Sequence, residues 1–187
     1  MPEFFNFWRD LPPGPDVPRV VHVVVEIPKG SRNKYEYDEG LGVFKLDRVL
    51  YSPLHYPGDY GLVPQTIYED GDPLDVLVMV SEPTYTGCVI ASRPLGIYRV
   101  LDRGVPDDKV LAVPATDPLF ADYTDLDDVP RHFLAEVAHF FQTYKDLEGI
   151  GVEPVGWEPA AAARTEIERA IGRYREACRL VGETAQA

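Results

Sequence analysis

Cysteine is scarce: Cys88 and Cys178 are the only two in 187 residues. That is too few for a disulfide framework or a thiolate metal site, and both are expected to be buried free thiols. Positive charge is also short. Lys and Arg number 18 against 31 Asp and Glu, a net charge of −13, which argues against a general nucleic-acid binder, whose affinity comes from contacts to phosphates. An anionic ligand would need a cation to approach such a chain. No apolar run is long enough to span a membrane, and the N-terminus lacks the basic-then-apolar pattern of a secretion signal. The expectation is a cytoplasmic protein with no membrane partner. What the chain does have is 45% hydrophobic residues, enough for one well-buried domain over residues 1–187 and too short a length for two ordinary ones.

The most informative stretch is Glu69-Asp70-Gly71-Asp72-Pro73-Leu74-Asp75, which runs directly into the apolar segment Val76–Val80. Side chains alternate along an extended chain, so Asp70 and Asp72 share a side, and Asp75 joins them only if Gly71 and Pro73 turn the backbone. Leu74–Val80 reads as a strand buried on both faces, which would pin the carboxylates to a rigid core. Converging carboxylates repel one another, whereas Mg²⁺ takes oxygen ligands in octahedral geometry and keeps several waters. A solvated acidic turn is the alternative, because Asp-Gly and Asp-Pro are ordinary turn chemistry. A calcium loop of the EF-hand type is excluded by Leu74 and Ser81 at ligand positions. The Asp-x-Asp of Asp70 and Asp72 also resembles that of metal-dependent glycosyltransferases, a short match.

The chain opens with an irregular arm over residues 1–19, aromatic from Phe4 to Trp8 and proline-rich from Leu11 to Pro18, which packs on the domain or on a neighbouring subunit; a disordered leader is the other reading. Val20–Ile27 is a β-branched strand closed by Glu26. Ser31–Tyr37 and Val43–Leu50 form a hairpin about Asp38-Glu39-Gly40. Within it Lys34 and Glu36 share one face, and Arg48 shares a face with Leu46 and Leu50, so Arg48 either holds an inward partner or snorkels to solvent. Residues 51–61 read as an irregular loop lined with tyrosines.

Further on, Cys88–Leu101 reads as one or two strands bent near Pro94, followed by a second acidic turn containing Asp102 and Asp107 and by a strand over Val110–Val113. Everything after that reads as helical. The first helix carries the stripe Phe133, Leu134, Val137, Phe140, Phe141, Tyr144 and Leu147, with Asp128 as its N-cap. The second starts at about Pro159, with Ile167, Ala170, Ile171, Tyr174, Cys178 and Val181 as its stripe, and frays after Gly182. His139 is expected to be a core or interface residue rather than a ligand.

Asp70-Gly71-Asp72-Pro73-Leu74-Asp75-Val76 resembles the signature of the soluble family I inorganic pyrophosphatases, and the resemblance extends in order from about Val20 to Tyr174. It is carried by Val25-Glu26-Ile27-Pro28, Lys34-Tyr35-Glu36, Leu46-Asp47-Arg48, Tyr56-Pro57, Asp59-Tyr60-Gly61, Asp102 with Asp107 and Lys109, and His139-Phe140-Phe141 through Glu148. The resemblance implies a mainly β chain with α (α+β): a closed five-stranded OB-like barrel with two C-terminal helices packed outside. It also implies Mg²⁺ as cofactor, pyrophosphate as substrate, and a homo-oligomer, with a hexamer favoured.

Residue by residue, the resemblance puts metal ligands at Asp70, Asp75, Asp102 and Asp107, with Glu26 acting mainly through water. It puts phosphate-binding groups at Lys34, Arg48, Tyr60, Tyr144 and Lys145, with Lys109 nearby. Asp72 is then placed to take the proton of the attacking water. Two other classes share parts of this pattern: a nucleic-acid-binding OB module, which needs a basic aromatic face, and a catalytically silent scaffold.

Overall fold

The computed structural model describes residues 5–184, with side chains described as far as Leu180. In chain order the elements are β1 (Val21–Ile27), β2 (Asn33–Asp38), β3 (Val43–Val49), β4 (Asp59–Leu62), β5 (Asp75–Val78), β6 (Val89–Asp102), β7 (Val105–Pro106), β8 (Lys109–Pro114), α1 (Arg131–Thr143), β9 (Val152–Pro159) and α2 (Ala160–Thr184). Three short 3₁₀ turns lie around α1.

Five strands close into a ring. The path runs β1-β4-β5-β8-β6, and β6 then pairs back to β1. Every pairing is antiparallel except β5 with β8, which is parallel. The 14-residue β6 makes closure possible. Its first residues pair with β1, Val21 opposite Ser92, and its later ones with β8 and β9. The register against β8 shifts between Pro94 and Gly96, so the expected bend near Pro94 is a bulge within one strand. This is the mainly β architecture with two helices that the sequence predicts.

Three strands escape the sequence reading, the two-residue β7 inside the second acidic turn and the longer β4 and β9. β4 lies at the end of the expected irregular loop, masked by Pro57, Gly58 and Gly61. Gly61 is required there: a Cβ on it would lie 1.9 Å from the carbonyl oxygen of Val24, so the close approach of β4 to β1 admits no side chain. β9 lies in a segment expected to be helical. It carries Pro154, Gly156 and Pro159, which an edge strand tolerates, and β6 is its one partner.

The strand faces carry two large apolar clusters and a small one, in which Val24, Tyr37 and Leu62 meet Phe7 and Trp8 of the arm. Ile27, Leu77, Leu111 and Tyr98 pack with Phe140 and Phe141 of α1. Val23, Val76, Val110 and Ile97 pack with Ala163, Ile167 and Ala170 of α2. Alternation sends Val76 and Leu77 into different clusters, as the buried-strand reading requires.

Several local expectations need correction. Asp128 does not cap α1. Its carboxylate accepts from the backbone of Thr124 and Asp125 and closes a capping box on the 3₁₀ turn Leu126–Asp128, because Pro130 follows closely and starts the helix itself. Leu147 is 65% exposed, since α1 ends at Thr143 before the stripe reaches it. His139 and Cys178 are exposed and Cys88 is half-buried, so neither thiol is fully buried; at Cys178 the stripe of α2 has run past the body it covers. The side chain of Val181 lies outside the described residues, and α2 continues to Thr184, past Gly182, after which the sequence predicts fraying. Leu46 is also exposed, while Leu50 is buried, so these two do not share an inward face.

The arm packs on its own domain. Phe7 meets Tyr37 and Phe44 edge-on or tilted, Trp8 meets Tyr174, and the Trp8 indole N–H donates to the carbonyl of Thr66 at 2.8 Å. Phe4 lies outside the described residues.

Candidate active site

One end of the ring gathers strand termini around a cleft of about 750 Å³. Glu26 comes from the end of β1, Lys34 from the start of β2, Tyr60 from β4 and Asp75 from the start of β5. Asp102 closes β6, Asp107 lies between β7 and β8, Lys109 opens β8, and Tyr144 and Lys145 follow α1. Asp70 and Asp72 come from the turn before β5. All of these line the cleft. Of the residues to which the resemblance gives a metal, phosphate or proton-transfer role, Arg48 alone is missing from its wall. It sits opposite Lys34 in the hairpin, where its guanidinium pairs with Asp47 and, at 3.1 Å, with Glu148.

Carboxylates and ammonium groups interleave. Lys109 Nζ donates to Asp75 at 2.5 Å and also to Asp107, and Lys145 donates to Asp102 at 2.6 Å. Lys34 pairs with Glu36 and lies 3.5 Å from Asp47. Burial opposes the charge on Lys109, but Asp75 and Asp107 outweigh it and hold the ammonium firmly protonated. Lys34 behaves in the same way beside Glu36. The aromatic walls add Tyr60, whose phenol is pushed well up by burial and then by Asp75. Tyr144 stacks on Phe140 and lies beneath Lys145 Nζ at 5.2 Å.

Four of the acids hold a proton more readily than a free side chain does. Burial, then the charge of neighbouring carboxylates, raises Asp72. Asp70 and Asp107 are raised too, with burial as the first cause. Glu26 is pushed up to about 8, chiefly by burial. These are the signs of a site short of positive charge. In addition, Asp102 Oδ1 is buried with no hydrogen-bond donor among the described residues. Such a donor set, all oxygen and largely acidic, fits a hard divalent cation. Among the described residues, no three His, Cys, Asp or Glu side chains stand together as a ready-made ligand group; Lys109 lies between Asp75 and Asp107, and Lys145 occupies Asp102.

Glu36, Glu39 and Tyr37 also line the cleft, although no role for them, or for Glu148, follows from the sequence. The shared face of Lys34 and Glu36 is a usable signal for Glu36. None exists for Glu148, which meets Arg48 across a separation of 100 residues.

A family model described as inorganic pyrophosphatase matches residues 23–175. The chain belongs to the inorganic pyrophosphatase family. It is 51% identical over 172 residues to the inorganic pyrophosphatase of Haloferax volcanii, covering 91% of this chain and 97% of that protein. It is 53% identical over 158 residues to that of Halalkalibacterium halodurans, covering 84% and 97%. The crystal structure of inorganic pyrophosphatase from Thermus thermophilus superimposes with a TM-score of 0.88 at 45% identity, covering 91% of this chain and 99% of that one. The membership, the enzyme class and the mainly β fold expected from the sequence are thereby met.

Proposed function

We propose that this cleft hydrolyses inorganic pyrophosphate to two orthophosphates, with Mg²⁺ as cofactor. The observation that carries the reading is the convergence of Asp70, Asp72, Asp75, Asp102 and Asp107 with Lys34, Lys109, Tyr144 and Lys145 on one cleft, in a chain of this family. Asp70, Asp75, Asp102 and Asp107 would hold the cations, with Glu26 as a further carboxylate. When bound, Mg²⁺ lowers the pKa of water and offsets the charge of the substrate.

The chain's own groups do the rest. Pyrophosphate repels a nucleophile through its several negative charges, so the site must first neutralise the electrophile. Lys34, Tyr60, Tyr144, Lys145 and Lys109 line the cleft to receive phosphate oxygens, with Arg48 beside Lys34 at the rim. Asp72 accepts the proton of the attacking water. The water oxygen bonds to one phosphorus, the bridging P–O bond breaks, and the second phosphate departs with the charge that the lysines stabilise. The arginine offers a planar fork and the lysines point charges.

The acid-lined cleft disfavours nucleic acid as a partner. Among the described residues no helix is long and apolar enough to cross a membrane, which is compatible with a cytoplasmic location. The homo-oligomer, a hexamer by resemblance, is part of the same reading. Phe140 is not available for it, being buried within the chain, but Leu41, Leu46, Tyr85 and Leu119 are exposed apolar residues of a kind that subunit contacts bury. Loss of phosphate release on chelation, and its return with added Mg²⁺, tests the reading.

A further inference from the structure

Asp108 turns its back on the cleft. Its neighbours Asp107 and Lys109 both line the cleft, and alternation at the start of β8 sends Asp108 to the opposite side, where it is 4% exposed. There its carboxylate accepts the Val100 N–H at 3.1 Å, the Arg99 guanidinium, and the Tyr68 hydroxyl at 2.5 Å. Tyr68 is itself buried among core residues including Leu74 and Val76. Burial, then the bond to Asp108, pushes its phenol upward, so it stays a donor.

Tyr68 also closes the first acidic turn. Its N–H donates to the Asp72 carbonyl at 2.7 Å, and its carbonyl accepts the Gly71 N–H at 3.2 Å. The turn from Glu69 to Asp72 is otherwise exposed, and it is moored to the body through Tyr68, through an ion pair of Glu69 with Arg173 at 3.3 Å, and through the buried Leu74. Beyond the first paired residues Val76 and Val110 of β5 and β8, the Tyr68 hydroxyl ties the turn carrying Asp70 and Asp72 to the loop carrying Asp107, from beneath the cleft. The two acidic loops repel each other, and a lost tie lets them part. Above the floor, Lys109 also bridges them, but it holds the carboxylates that a cation would use. The Tyr68–Asp108 bond touches none of those.

We infer that the Tyr68–Asp108 hydrogen bond is a positioning link that sets the separation of the two acidic loops, and with it the affinity of the cleft for a divalent cation. The inference rests on the proposed function and deepens it. Tyr68→Phe keeps the ring in its core position and removes only the donor.

The test is calorimetric titration of Mg²⁺ into the substrate-free protein, comparing wild type, Tyr68→Phe, Asp108→Ala and the double variant, with melting temperatures taken in chelator. Asp108→Ala is used because an asparagine there would still accept the Tyr68 hydroxyl. Tyr68→Phe is expected to bind Mg²⁺ roughly tenfold more weakly, the low end for partners of metal ligands. The double variant is expected to be no weaker than Asp108→Ala alone, because the two residues act through one bond. An unchanged Mg²⁺ affinity in folded Tyr68→Phe, with or without a lower melting temperature, overturns the inference, as do additive losses in the double variant. Should Tyr68→Phe fail to fold, Asp108→Ala decides by the same affinity criterion. Phosphate release by the wild type is measured alongside: an inert wild type refutes the proposed function, whereas wild-type affinity in Tyr68→Phe refutes this link alone.

Discussion

The Glu26 carboxylate accepts the backbone N–H of Tyr37 at 2.7 Å, joining the end of β1 to a hairpin that no other strand flanks. A two-stranded hairpin is marginal by itself, so this buried bond and the packing of Phe7 on Tyr37 and Phe44 hold the wall that carries Lys34.

The same carboxylate makes stability depend on pH. Its folded pKa stands near 8 against 4.5 for the free side chain, so between those values the folded state binds a proton that the unfolded chain has released. Its contribution is fully present below pH 4.5 and is lost as pH rises through 8. Melting of the metal-free protein is therefore expected to fall from pH 6 to pH 8 more steeply in wild type than in Glu26→Gln. Parallel pH profiles for the two would contradict the assignment.

Asp72 and Asp75 have different proposed roles, and their amides separate them. Asp72→Asn removes a proton acceptor, worth about 10² to 10⁴ in rate, and is expected to lower turnover at nearly constant Mg²⁺ requirement. Asp75→Asn removes charge from a proposed ligand and is expected to raise the Mg²⁺ needed for half-maximal activity as well. Mg²⁺ titrations of activity check this. A large rise in Mg²⁺ requirement with near-normal turnover in Asp72→Asn would make Asp72 a ligand instead.

Gly61→Ala is expected to destabilise the fold by at least about 3 kcal/mol, the upper end of over-packing costs, because the new methyl meets the backbone oxygen of Val24 at 1.9 Å. A backbone oxygen cannot swing aside as a side chain does. Urea unfolding midpoints measure the loss, and a wild-type midpoint would contradict the close approach of β4 to β1.

That glycine also shows where the sequence stops being legible. The acidic turn before β5 could be read because its residues are contiguous and run into a strand apolar on both faces. β4 and β9 could not, because Gly58, Gly61, Pro154 and Gly156 break local patterns for reasons that exist only in the assembled sheet. The site divides in the same way. Most residues placed by resemblance meet in the cleft, but the ion pair of Arg48 with Glu148 and the tie of Tyr68 to Asp108 join distant segments and leave no local trace.

Assembly is tested by static light scattering at micromolar concentration. A mass of six chains is expected from the proposed hexamer, and a monomer mass of 21.0 kDa would remove that part of the reading.

The most direct measurement of the central claim is orthophosphate released per pyrophosphate consumed, in Mg²⁺, in Ca²⁺ and after exhaustive chelation, with Asp75→Asn as the background. The expected result is two phosphates per pyrophosphate with Mg²⁺, little with Ca²⁺, which is larger and prefers a looser oxygen shell, none after chelation, and a strongly reduced rate in Asp75→Asn. Full release after chelation, or an intact rate in Asp75→Asn, would contradict a metal-dependent reaction in this cleft.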